Sequence, residues 1–231
     1  MPTHLDFATP EGLLVRGTVV VVPGRGETPD TYRRLGARLA ADAYRVRVVE
    51  PVELDGDDPS GSLQRVVAVL TAAVEGLEGE PARPLVLVGA DTGAVAVSAL
   101  TSEAAPDAAW WPDAVVLAGL PGYDARATGG WEEELEVRTS CPAHRGVLTR
   151  DDAVRRGSLA DAVPAALLEL AQEGTSELPH LLLTGDADPL ADADALARQA
   201  KALPLARLTS RWRPPSAAAS AAGRPAAPPG R

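Results

Sequence analysis

The residue with the clearest chemical potential is Asp91, set in Leu85-Val86-Leu87-Val88-Gly89-Ala90-Asp91-Thr92-Gly93-Ala94. A four-residue apolar run enters Gly-x-Asp-x-Gly and passes at once into a small-residue stretch with helical character. An aspartate is ionised at neutral pH, so its carboxylate can attack a carbon centre without a base to activate it. Glycines on both sides suit a turn so tight that side chains there would meet neighbouring backbone. The N–H groups and dipole of the following helix favour the carboxylate and any oxyanion formed beside it. The same pattern also fits an aspartate that does no more than cap a helix.

Two other stretches could join Asp91. Pro23-Gly24-Arg25-Gly26-Glu27 follows the β-branched run Thr18–Val22 and reads either as a backbone anion site or as a plain tight turn. Leu181-Leu182-Leu183-Thr184-Gly185-Asp186-Ala187-Asp188-Pro189 carries two acids just past a late apolar run. The chain has three histidines, His4, His144 and His180, and none follows His180. His4 precedes the first expected strands and is expected to be exposed. His144 is expected on the surface or in packing. His180 opens its strand and so falls at the sheet edge away from Asp91.

Together these stretches resemble the α/β-hydrolase family over roughly residues 15 to 205. Its nucleophile elbow, Gly-x-Ser-x-Gly, has aspartate here at the central position. The resemblance implies Asp91 as nucleophile and Gly89 and Gly93 as the elbow glycines. It implies an oxyanion hole from the backbone N–H groups of Arg25 and Thr92, with Pro23 where the family carries histidine. It implies Asp188 as the acid that would orient a catalytic imidazole, with Asp186 as its neighbour. The imidazole itself should follow the last strand, placed at Leu205–Ser210, and the sequence has none there. Family members with an aspartate nucleophile include haloalkane dehalogenases and epoxide hydrolases. This chain has Thr92 where the dehalogenase pattern has a halide-binding tryptophan. Only Tyr123 follows the elbow, where epoxide hydrolases use a pair of tyrosines.

The elements that must position these residues alternate. Leu13–Val15, Thr18–Val22, Tyr44–Val49, Leu85–Val88, Ala114–Ala118 and Leu181–Thr184 read as strands. Thr28–Ala41, Ser62–Leu77 and Thr92–Leu100 read as helices, with Tyr32, Leu35 and Leu39 expected on one side of the first. Such alternation predicts an α/β fold with a mostly parallel sheet and helices on both faces. About sixty residues separate Gly119 from His180, too many for a simple crossover. The expected organisation is a hydrolase core over 1–120 and 179–210, a helical cap insertion over 121–178, and a disordered basic tail over 211–231. Glu132-Glu133-Glu134 and Arg155-Arg156 in the insertion read as solvated surface.

The tail from Trp212 to Arg231 contains only Trp, Arg, Pro, Ser, Ala and Gly and has no helical period. With twenty-one Arg against one Lys, the chain points to a GC-rich gene. A reading frame lost near Arg207–Arg213 is the expected reason that the histidine and a closing amphipathic helix are missing; a genuine basic tail is the alternative. The net charge of −10 argues against nucleic acid as a partner. No apolar run reaches the ~18 residues of a membrane span, and the N-terminus lacks a secretory pattern, so a cytoplasmic location is expected. One cysteine, Cys141, leaves no internal disulfide. No metal-ligand spacing or nucleotide fingerprint is present, so no cofactor or metal is expected.

Two functions remain open, and a third possibility is a structural relic that folds poorly because loss of the last helix exposes part of an apolar sheet. One is a hydrolase of a small apolar ester, halide or epoxide using Asp91, inactive as written if the histidine is lost. The other is a non-catalytic protein that binds a small molecule in the pocket under the cap.

Overall fold

The computed structural model describes residues 4–102, 107–123 and 129–211, with the backbone alone at Ser210 and Arg211. The segment 212–231, where a disordered tail is expected, lies outside the described residues.

Seven strands form one sheet in the order β1-β3-β2-β4-β5-β6-β7. They are β1 (His4–Phe7), β2 (Gly17–Val22), β3 (Tyr44–Val49), β4 (Leu85–Ala90), β5 (Ala114–Ala118), β6 (His180–Gly185) and β7 (Ala206–Arg211). Among the strands of the described residues only β1 runs antiparallel, paired with β3. Every other pairing is parallel. Helices are α1 (Arg33–Ala41), α2 (Pro59–Glu75), α3 (Thr92–Ser102), α4 (Trp131–Arg138), α5 (Pro142–Arg150), α6 (Ala165–Glu173) and α7 (Ala193–Ala202). This is the expected α/β architecture. Parallel neighbours need crossovers, and α2, α3 and the long β5–β6 segment supply them.

Composition explains the local choices. All six residues of β2 are buried, as a Val run between two helical layers should be. Asp58 starts α2 by accepting the Gly61 N–H at 2.9 Å, with Pro59 preset for the first turn. Asp192 caps α7 in the same way through the Ala195 N–H. The main core joins β2, β4, β5 and β6 to α2, α3, α6 and α7 through residues such as Leu70, Leu87, Leu117, Leu168 and Leu182. A second cluster packs Val19, Val21, Val46 and Val48 against Phe7, Tyr32 and Leu39. Arg47 is buried across β1, β3 and α2. It donates to both Asp6 oxygens at 2.7 and 2.6 Å and to the Ala73 carbonyl at 2.7 Å. Burial alone would raise the Asp6 carboxyl, but the hydrogen bond and charge of Arg47 outweigh it and leave it below its ordinary value.

Three expectations are corrected. Leu13–Val15 is not a strand: Leu14 is 90% exposed, and the antiparallel edge is His4–Phe7, held by Asp6 on Arg47. His4 therefore opens β1 and is half-buried rather than free of the sheet. The helix expected from Thr28 begins as a 3₁₀ turn over Pro29–Tyr32, and it buries Gly36 and Ala40 while Leu35 stays exposed.

Within the β5–β6 segment the helices behave differently. Leu135 of α4, Leu148 of α5 and Val154 form a small cluster of their own. Leu167, Leu168 and Ala171 of α6 instead join the main core.

Candidate active site

Asp91 sits where β4 turns into α3. Its φ is +46°, a left-handed value that a non-glycine residue adopts only when its surroundings hold it there. Its N–H donates to the Ala118 carbonyl at 3.0 Å, and its carbonyl accepts the N–H groups of Ala94 and Val95. A Cβ on Gly93 would lie 2.3 Å from the Val22 carbonyl oxygen, and one on Gly89 would lie 2.5 Å from the Gly93 oxygen. Both glycines are thus required by close backbone approach.

The turn after β2 presses directly on this elbow. A Cβ on Gly24 would meet the Asp91 Cβ at 2.8 Å. Arg25, next in sequence, is the dominant partner of Asp91. Its Nε donates to Oδ2 at 2.8 Å, its Nη2 to Oδ1 at 2.8 Å, and its backbone N–H to Oδ2 at 3.0 Å. Nη1 is engaged by the Asp161 carbonyl at 2.7 Å. The Arg25 side chain is 5% exposed and that of Asp91 18%, so this fork-to-fork pair is largely withdrawn from water.

The turn is fastened by further buried charge. Arg138 donates to the Arg25 carbonyl at 2.9 Å and pairs with Glu134 at 2.7 Å. Ser158 reaches the same carbonyl at 3.1 Å, and the Arg155 N–H donates to the Gly26 carbonyl at 2.9 Å. Glu27 accepts the Gly24 N–H at 3.1 Å and the Tyr32 hydroxyl. Burial, then the Glu27 charge, pushes the Tyr32 phenol well above its ordinary value. Glu134 is only 4% exposed, which corrects the reading of Glu132–Glu134 as wholly solvated. One of the three points inward because the α4 turn sets it four residues before Arg138.

An open cleft of about 470 Å³ lies over the turn, lined by Gly24, Arg25, Glu27, Leu54, Thr92 and Pro164 among others. Thr92 opens α3, where first-turn N–H groups have no carbonyl partner within the helix. Asp188 lies past the end of β6, its Oδ1 accepting the Leu190 N–H at 2.9 Å. A Cβ on Gly119, which follows β5, would lie 4.0 Å from Asp188 Oδ2. Asp91 and Asp188 thus occupy the same end of the sheet.

The imidazoles stand elsewhere. His180 is buried at the opposite end of the sheet, with Nδ1 on the Leu178 carbonyl at 2.7 Å. Burial pushes it below its ordinary value against the opposing effect of that carbonyl. His144 lines a separate groove of about 590 Å³ with Arg34 and Asp151, between α1 and α5, and burial likewise lowers it. His4 pairs with Asp6 on the antiparallel edge. Among the described residues no group of His, Cys, Asp and Glu is arranged to hold a metal, and no helix is long and apolar enough to cross a membrane.

The sequence singled out Arg25 for its backbone N–H alone; the guanidinium clamp on Asp91 had no sequence signal. As a chemical unit, the carboxylate has both oxygens committed to three N–H donors. Its charge is balanced by the guanidinium, and Oδ2 accepts two of the donors and Oδ1 one.

No protein-family model matches the sequence, and no curated protein matches it. Solved structures do. The chain resembles the monoacylglycerol lipase of Paleococcus ferrophilus with a TM-score of 0.68 at 18% identity, over 90% of this chain and 88% of that one. It resembles a soluble variant of the monoglyceride lipase of Saccharomyces cerevisiae with a TM-score of 0.63 at 14% identity, over 90% and 82%. A thioesterase domain from the curacin biosynthetic pathway gives 0.58 at 17%, over 91% and 87%. At such identities the likeness is one of fold: this chain has the α/β-hydrolase fold.

Proposed function

We propose that this α/β-hydrolase-fold chain binds a small molecule without hydrolysing it, and that Asp91 serves as the fixed counter-ion of Arg25 rather than as a nucleophile. One observation carries this reading: the bidentate, largely buried contact of Arg25 with both Asp91 oxygens, completed by the Arg25 N–H. A nucleophilic oxygen must release its donors before it attacks. Hydrogen bonds to charged groups contribute about 1.5–3 kcal/mol each, and each 1.36 kcal/mol added to a barrier slows a step about tenfold. Losing the one bond that Oδ1 accepts would slow its alkylation by about one to two orders of magnitude, and losing the two at Oδ2 by two orders or more. In the family arrangement the Arg25 N–H would serve an oxyanion hole. Here the Asp91 carboxylate takes that donor, so an incoming carbonyl oxygen has only the Thr92 side to approach. The α4–α5 region would act as the cap that closes the cleft and would set which ligand enters.

A hydrolytic reading is favoured by a different observation, the strained φ of Asp91 between two glycines that tolerate no side chain. In it, Asp91 attacks a small apolar ester, halide or epoxide, Asp188 orients a base, and Arg25 swings away. Its requirement for an imidazole is unmet by His4, His144 or His180 where they stand.

Turnover separates the two. With 4-nitrophenyl acetate and butyrate as probes, the full chain is expected to release nitrophenol at the rate of Asp91→Asn, both near the buffer background. A rate at least tenfold above that of Asp91→Asn would replace the binding reading with the hydrolytic one.

A further inference from the structure

Charge is distributed unevenly around the cleft over the Arg25 turn. One wall is the loop between β3 and α2, Glu50-Pro51-Val52-Glu53-Leu54-Asp55-Gly56-Asp57-Asp58, with five acids in nine residues and no base. Pro51, Val52, Glu53 and Leu54 of this loop line the cleft. Most charges that face it are already matched. Arg25 is held by both Asp91 oxygens and the Asp161 carbonyl. Arg155 pairs with Asp161 at 2.5 Å. Glu27 accepts the Gly24 N–H and the Tyr32 hydroxyl and lies 3.8 Å from Arg138. Glu53 is the exception. Its side chain is 86% exposed and meets Arg155 at 3.9 Å, a cation that Asp161 holds more closely. Thr92 is the opposite case. It is only 8% exposed, lines the same cleft, and its hydroxyl has no hydrogen-bond partner among the described residues. A buried hydroxyl without a partner forgoes the bonds that water would give it, unless a ligand supplies one.

We infer that the molecule this cleft holds is a small amphipathic amine, with an ammonium at Glu53 and a hydroxyl or carbonyl oxygen at Thr92. The inference rests on the binding reading above and names the ligand class of that site. Val52, Leu54, Ala162 and Pro164 supply apolar lining for the hydrocarbon part. A few placed polar groups within apolar walls are how small-molecule sites fix orientation. An ammonium at the rim gains from Glu53 directly and from the field of the acids beside it in the loop. Arg65, at 3.6 Å from Asp58, offsets only the far end of that loop. A carboxylate in the same place meets this field with the opposite sign, and an uncharged head group gains nothing from it.

Tyramine, tyrosol and 4-hydroxyphenylacetate share a phenol and differ in carrying an ammonium, a hydroxyl or a carboxylate. Calorimetric titration of each into the full chain tests the inference. Tyramine is expected to bind about fivefold more tightly than tyrosol, the scale of an exposed ion pair, and 4-hydroxyphenylacetate more weakly than tyrosol. Added sodium chloride should narrow these gaps. Glu53→Gln, at an exposed position, is expected to erase the advantage of tyramine. Glu80→Gln makes the same change of net charge in the exposed loop before β4 and should leave that advantage intact. Thr92→Val should weaken all three probes alike. Tyrosol bound as tightly as tyramine would overturn the inference and leave the binding reading standing. A tyramine advantage that survives Glu53→Gln, or failure of all three probes to bind, would overturn it as well. Conversely, nitrophenyl ester turnover above that of Asp91→Asn, inhibited better by tyramine than by tyrosol, would overturn the binding reading and leave the ligand class in place.

Discussion

Arg25→Ala is expected to destabilise the fold by about 3 kcal/mol, because it strands the Asp91 carboxylate in a largely buried site. Removing one partner of a buried pair typically costs about 3–5 kcal/mol, since the remaining charge has neither water nor a counter-ion. Asp91 keeps 18% of its side-chain exposure, which places the expectation at the lower end of that range. In a chain of this size the melting temperature should fall by roughly 6–12 °C. Asp91→Ala should be comparably harmful, since it leaves the guanidinium unpaired. The double variant should lose clearly less than the sum of the two, the coupling expected of groups in direct contact. Urea unfolding of the four proteins measures this. Strict additivity would show that the pair does not act as a unit.

The second large effect is expected at Gly93. Alanine there must place its Cβ near a position 2.3 Å from the Val22 carbonyl and 2.6 Å from the Pro23 carbonyl. Both neighbours are backbone at the end of a fully buried strand, so neither can move without dragging β2 with it. Overpacking typically costs 1–3 kcal/mol, and contacts this rigid put Gly93→Ala at about 3 kcal/mol or more. Gly79→Ala is the control: its φ is +73°, and a Cβ there meets nothing within 4 Å. It should cost only the backbone penalty of roughly 1 kcal/mol. Equal unfolding midpoints for the two variants would refute the tight-elbow account.

Much of this framework was legible in the residues themselves. Val runs at Thr18–Val22 and Leu85–Val88 announce buried strands, and Gly-x-Asp-x-Gly between a strand and a helix announces a tight turn. Leu13–Val15 misled because three apolar residues resemble a strand wherever they fall, whereas the true edge strand mixes His4, Leu5, Asp6 and Phe7 and is fixed by a distant arginine. The Arg25–Asp91 pair was illegible for a similar reason. The partners lie 66 residues apart, and nothing in an arginine between glycines tells which carboxylate it will meet. The Glu134–Arg138 pair was within reach, since four-residue spacing on a helix puts the two together.

Trapping Asp91 with an electrophile reports most directly on whether its oxygens are held or free. The full chain would be incubated with styrene oxide and with 1-bromobutane, and its intact mass followed by peptide mapping. An attacking Asp91 oxygen would open the epoxide or expel bromide and leave an ester on the protein, and with no imidazole in reach that ester would persist. The account predicts an unmodified Asp91 in the wild-type chain under conditions that do not label Asp91→Asn. A stable adduct on Asp91 in the wild-type protein would contradict it and make this carboxylate a live nucleophile.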